Sequence, residues 1–189
     1  MSTVQEQATQ TGITTWQIDP NHSLVEFSAK HMMITTVKGR FSKVSGTIVV
    51  DEQNPDRSRV EAEIEAASID TRAEQRDQHL RSADFLDVEK HPNISFRSRR
   101  VLGTSKNPGD EFKVIGDLTI RGTTREVTLD AVYEGAGKDP WGGERVSFSA
   151  TTKLDRRNFG LTWNQALETG GLLVGNEIKI SLEIQAVRQ

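Results

Sequence analysis

The chain has 189 residues, 34% of them hydrophobic, which supplies enough apolar side chains for one core and too few for two sizeable ones. Lys and Arg total 24 against 27 Asp and Glu, a net charge of -3 that argues against a dedicated nucleic-acid or anionic-membrane binder and still permits local basic patches. Cys is absent, which removes disulfides, thiolate metal sites and thiol nucleophiles together.

Residues 1–13 read as a flexible tail ahead of one domain spanning 14–189. The opening MSTVQEQATQTG has neither the basic start nor the apolar stretch of a secretory signal. Apolar runs such as Ile48 to Val50 and Leu172 to Val174 fall far short of the roughly 18 to 20 residues that span a bilayer. A cytoplasmic protein without an integral membrane segment is the expectation.

From residue 14 onward the dominant signal is alternation, with apolar residues at every second position and charged or hydroxylic neighbours between them. The weaker candidates are 14–19 and 36–42. Clearer are Val25, Phe27 and Ala29; Ile48 and Val50 after Gly46; and Val60, Ala62, Ile64 and Ala66 set against Glu61, Glu63 and Glu65. Residues 73–82 break the pattern with Glu, Gln, Arg and Leu. Thr71 followed by Glu74 has capping-box spacing, so a short helix is predicted there.

Alternation returns with Ile94 and Phe96. After a turn at 107–110, Phe112, Val114, Gly116, Leu118 and Ile120 face one way, and only Ile115 breaks the rule. Arg121 to Thr124 reads as a hairpin corner leading to Val127, Leu129, Ala131 and Tyr133. Residues 135–143 read as a longer loop. Val146, Phe148, Ala150 and Leu154 follow, then Ile178, Ile180, Leu182 and Ile184. Roughly eight strands with one polar face each predict an all-β antiparallel sandwich or barrel, and closure favours the barrel because it removes exposed edges.

Nucleophile elbow, phosphate-binding glycine loop, dinucleotide fingerprint and HExxH pair are all missing, which argues against catalysis. The four histidines, His22, His31, His79 and His91, lack the spacing of a metal site, and none is assigned to one. Arg72, Arg76 and His79 fall at helical spacings of four and three. They form either a cationic stripe suited to phosphate or a solvated face paired with Glu74, Asp77 or Asp84. On the inward face, Ala29, Ala62, Ala66, Gly116, Ala131 and Ala150 are small. An eight-stranded barrel lined this way either fills with side chains or keeps an apolar channel suited to an aliphatic chain.

These landmarks resemble the YceI-like family of lipocalin-like polyisoprenoid-binding proteins over nearly all of residues 14–188. The resemblance rests on Trp16, Asp19, His22 and Ser23; on Phe27, His31, Gly39, Phe41 and Gly46; and on Asp70 and Thr71. It continues through Arg76, Asp77, His79, Leu80, Phe85 and Pro92, then Gly116 to Gly122, Arg156, Phe159, Gly160 and the strand after Gly175. It implies an extended eight-stranded antiparallel barrel holding a long isoprenoid or related amphiphile as carrier, store or sequestering protein. No cofactor is implied beyond a bound polyisoprenoid or quinone-like lipid.

On that resemblance the tail contacts would be Phe27, Phe41, Leu80, Phe85, Phe96, Leu118, Phe148, Phe159 and Trp163, and the head-group contacts His31, Arg76, His79 and Arg156. Matching residues can instead hold the fold: Arg156 with Asp77 as a buried pair, Gly116 as a barrel bend. Family habit implies a homodimer, and many relatives are periplasmic. The competing readings are a barrel enzyme using His31 or His79 as acid or base, and a filled scaffold.

Overall fold

A computed structural model describes residues 12–103 and 105–189, so residues 1–11 of the tail expected over 1–13 lie outside the described residues. The first strand begins at Ile13, one residue earlier than expected. Among the described residues eleven strands form one antiparallel sheet: β1 Ile13–Ile18, β2 Leu24–His31, β3 Thr35–Phe41, β4 Val44–Asp51, β5 Arg59–Glu65, β6 Ile69–Asp70, β7 Asn93–Gly103, β8 Glu111–Ile120, β9 Thr123–Lys138, β10 Glu144–Asp155 and β11 Val174–Arg188. The order β1-β4-β5-β7-β8-β9-β10-β11 closes on itself through pairing of β1 with β11, giving a ring of eight.

The additional strands lengthen that ring. β2 pairs with the first half of β11, at Val174 to Glu183, and β1 with its last residues, so β1 and β2 together form one long strand broken at Asp19 to Ser23. β3 with β4, and β5 with β6, continue one another in the same way. With 15 residues in β11, about 3.3 Å rise and a tilt near 40°, the wall stands roughly 35 Å tall.

Alternation sets the two faces of this wall. Outward charges meet across the ladders, as in Glu61 with Arg97 at 3.3 Å, Arg99 with Asp117 at 2.9 Å and Glu144 with Arg188 at 2.5 Å. Each such exposed pair contributes little, yet together they disfavour a one-residue slip that would drive charge inward. The exception at Ile115 persists: it is buried although its neighbours in alternation, Val114 and Gly116, take the inner side. A bulge in β7 at Ser98 to Arg100 lies beside it.

The corner after β8 is a two-residue hairpin. Arg121 and Gly122 both have positive φ, 50° and 73°, as a primed turn requires. The loop expected at 135–143 is shorter: β9 runs through Lys138, and only Asp139 to Gly143 turn. A bulge that leaves Glu134 out of the ladder absorbs the change of register. Helix α1, Glu74–Arg81, falls where predicted, but the capping box does not form. Thr71 instead gives its amide to the buried Asp77 carboxylate at 2.9 Å, locking the approach to the helix.

Buried side chains gather in three groups along the barrel: Trp16, Val146 and Ala186; Ile18, Val25 and Val44; and Ala66, Ile69, Leu86 and Ile94. No large side chain among the described residues is completely enclosed. Inward residues of β11, such as Ile178, Ile180 and Ile184, are only half buried, as expected where side chains line a space instead of filling it.

Candidate functional site: the barrel lumen

That space is a cavity of about 790 Å³ running the length of the barrel. Its walls are the inward rows, including Val25, Phe27 and Ala29 of β2, Val127, Leu129 and Ala131 of β9, and Ile178 to Ile184 of β11. Small residues at Ala62, Ala131 and Ala150 keep opposing walls apart. Glycine serves closer packing. A Cβ on Gly116 would come within 2.7 Å of Phe96 Cζ, and one on Gly39 would collide with the Phe27 ring, so both aromatics lie flat against the wall.

Charge is confined to the two ends. At the end formed by the β4–β5 and β7–β8 connections, Asp51, Glu52, Ser58, Arg59, Ser105 and Lys106 rim the lumen. The opposite end is capped by α1 and the segments following α1 and β10, through Leu80, Phe85, Leu86, Phe159 and Leu161. Among them lies Arg156, only 4% exposed and part of the lining.

Every protein partner of the Arg156 guanidinium is a carbonyl. Nε donates to Gly175 O at 2.9 Å, and Nη1 to Leu161 O at 2.7 Å and Trp163 O at 2.9 Å. Nη2 makes only a long 3.4 Å contact with Val174 O. The neighbouring Asp155 carboxylate is held by Arg157 at 2.6 Å, and Arg156 forms no ion pair among the described residues. Burial pulls its pKa below the usual arginine range, although arginine keeps its proton. The buried pair with Asp77 does not form, because Asp77 is bonded to Thr71.

Of the tail candidates, Phe27, Phe41, Leu80, Phe85, Phe96, Leu118, Phe148 and Phe159 line the cavity. Trp163 does not. It packs outside the cap on His79 and Phe85, with ring centroids 4.6 and 5.3 Å away. Of the head-group candidates only Arg156 reaches the lumen. His31 is exposed at the end of β2, and Arg76 is tied to Thr71 by its Nε and Nη2 at 2.7 and 2.8 Å. His79 bonds to Asp84 at 2.8 Å. Helical spacing places Arg76 and His79 near one another, but α1 turns Leu80 toward the lumen instead.

Sequence reasoning missed the rim residues, because charges at strand ends look like ordinary turn residues. It also missed the clasp between Asp19, Arg145 and Asp139, whose members lie far apart in the chain. Arg145 bonds to Asp19 at 2.7 Å and to Asp139 at 3.1 Å. The Arg145 hydrogen bond holds the Asp19 carboxyl at about 2 against the opposing effect of burial, with help from His22 at 2.7 Å.

Wall, caps and lumen define an extended lipocalin-like barrel with a continuous apolar interior. The model of the YceI-like domain matches residues 16–186, and the chain belongs to that family. It is similar to a UPF0312 protein of Serratia proteamaculans, at 41% identity over 141 residues covering 75% of this chain and 71% of the relative. In fold it is similar to Burkholderia cenocepacia BcnA, with TM-score 0.75 and 21% identity over 89% of this chain and 98% of that one. A polyisoprenoid binding domain from Saccharophagus degradans gives TM-score 0.69 at 10% identity, over 93% and 99%.

Proposed function

We propose that the barrel binds one long-chain amphiphile of the isoprenoid kind, tail along the lumen and polar head at Arg156, and acts as its carrier or store. The observation that carries this reading is the apolar tube of about 790 Å³ with a buried guanidinium at its capped end that forms no ion pair among the described residues. A volume of that size suits a small-molecule ligand, and its extended shape suits a chain better than a sugar or nucleotide. Kinship in fold to a polyisoprenoid binding domain is in keeping with this reading. The enzyme alternative finds less support, since His31 and His79, its acid or base candidates, stand outside the lumen.

Solvent extraction of purified protein followed by mass spectrometry tests the proposal. Near-stoichiometric recovery of one long-chain lipid class is expected. A clean extract, together with failure to take up a fluorescent polyene fatty acid, contradicts it.

A further inference from the structure

The β2–β3 hairpin ends in Met32, Met33 and Ile34, which are 40%, 61% and 76% exposed. Leu172, 39% exposed, adjoins them, because the Met32 amide donates to Leu173 O at 2.8 Å. Met32 and Met33 both have positive φ, 53° and 64°, where Asn or Gly would sit more easily. The chain thus holds apolar side chains in water on a backbone that disfavours them. Strain and exposure together at one tip are characteristic of a contact surface.

The outer wall behind this tip carries unpaired positive charge. Lys38 lies opposite Ser28, Ser28 opposite Lys179, and Lys179 opposite Lys153, so one row crosses β3, β2, β11 and β10 with three lysines. All three are exposed, and none forms an ion pair among the described residues. Lys153 directly opposite Lys179 is a repulsive cross-strand pair. Lys30 adds a fourth cation nearer the tip. The acids in the neighbourhood are Glu26, Glu177, Asp155, which is held by Arg157, Asp130, which is held by Lys113, and Glu168, exposed in the turn between Leu167 and Gly171 beside Leu172.

We infer that this end of the barrel docks on an anionic lipid bilayer, with Met32, Met33, Ile34 and Leu172 entering the interface and the lysine row facing the headgroups. The row stands four residues behind the tip along β2, about 13 Å at strand rise, and long lysine stems reach back toward a surface entered by about 5–10 Å. A second copy of the chain fits less well, since a two-fold contact here would set like lysine rows against each other. Although the molecule as a whole carries a net charge of -3, the sign that matters at close range is local.

Flotation of the full chain with vesicles tests the inference. Binding is expected to vesicles of phosphatidylcholine with one-third phosphatidylglycerol, at least tenfold weaker binding to pure phosphatidylcholine, and release at high salt. The double variants Met33→Asp/Ile34→Asp and Lys153→Glu/Lys179→Glu should each lose at least tenfold with unchanged melting temperature. Trp141→Ala, at an exposed turn on the opposite end, should bind as the wild type does. Absence of vesicle binding, equal binding to neutral vesicles, or unaltered binding by the tip variant would overturn the assignment. So would a tip variant that turns a dimer into a monomer while vesicle binding persists. The inference does not depend on the lumen's occupant: the lumen-narrowing Ala150→Phe should dock normally even where it no longer carries lipid.

Discussion

Two arginines at opposite ends of β10 show opposite solutions to burying a cation. Arg145 is answered by two carboxylates, Asp19 and Asp139, and its clasp joins the break between β1 and β2 to the β9–β10 turn. Arg156 is more deeply buried and, among the described residues, is hydrogen-bonded to backbone carbonyls without an ion pair. A paired cation holds two segments together. A buried cation without a direct ion pair, on the wall of an apolar tube, also leaves a place for a negatively polarised group.

The contrast is sharpest on removal. Arg156→Met should be the most damaging change, because the Gly175, Leu161 and Trp163 carbonyls lose their donor inside the cap. A loss of about 3–5 kcal/mol is expected, lowering the melting temperature by about 10 °C or more. Thermal unfolding checks it, and a loss below about 1 kcal/mol would mean that the cap does not depend on this side chain. Arg156→Lys, which keeps the charge and loses the fork, should fold better than Arg156→Met. It should still bind an anionic long-chain lipid about 10-fold or more weakly than the wild type, by direct titration, with a smaller loss for the corresponding alcohol.

Arg145→Met should cost less than Arg156→Met, and its effect should depend on pH. Asp19 has a folded pKa of about 2, below the ordinary 3.8. A depressed carboxyl stabilises the fold fully above its unfolded value and loses that contribution as pH falls through the folded one. The advantage of wild type over Asp19→Asn should therefore be complete above about pH 5 and fade toward pH 2. Urea midpoints at several pH values measure it, and a gap that widens on acidification would refute the clasp. His79→Ala comes last: it removes an aromatic contact outside the cap for about 0.5–1.5 kcal/mol, and bound lipid should be unaffected.

The barrel was legible in the sequence because a sheet with one wet face writes its period of two directly into residue type. Val127 to Tyr133 and Ile178 to Ile184 lie on the lumen as their alternation predicts. Glycine misled where it sits in a strand: Gly135 and Gly137 resemble loop residues, yet β9 continues through them past a bulge. The head-group set was harder. Spacing tells which helical residues share a face but not which face the fold turns inward, so Arg76 and His79 look equivalent to Arg156 until α1 is docked. Only the tertiary fold brings the Leu161, Trp163 and Gly175 carbonyls to one guanidinium.

The most direct test of the account is native mass spectrometry of the wild type beside Ala150→Phe, which pushes a ring into the lumen opposite Ala131. The variant should fold within about 1 kcal/mol of the wild type, because the ring enters existing space. The wild type should carry one lipid mass and the variant none. Equal lipid on both proteins, or none on either after incubation with long-chain lipids, would contradict a lumen that carries cargo.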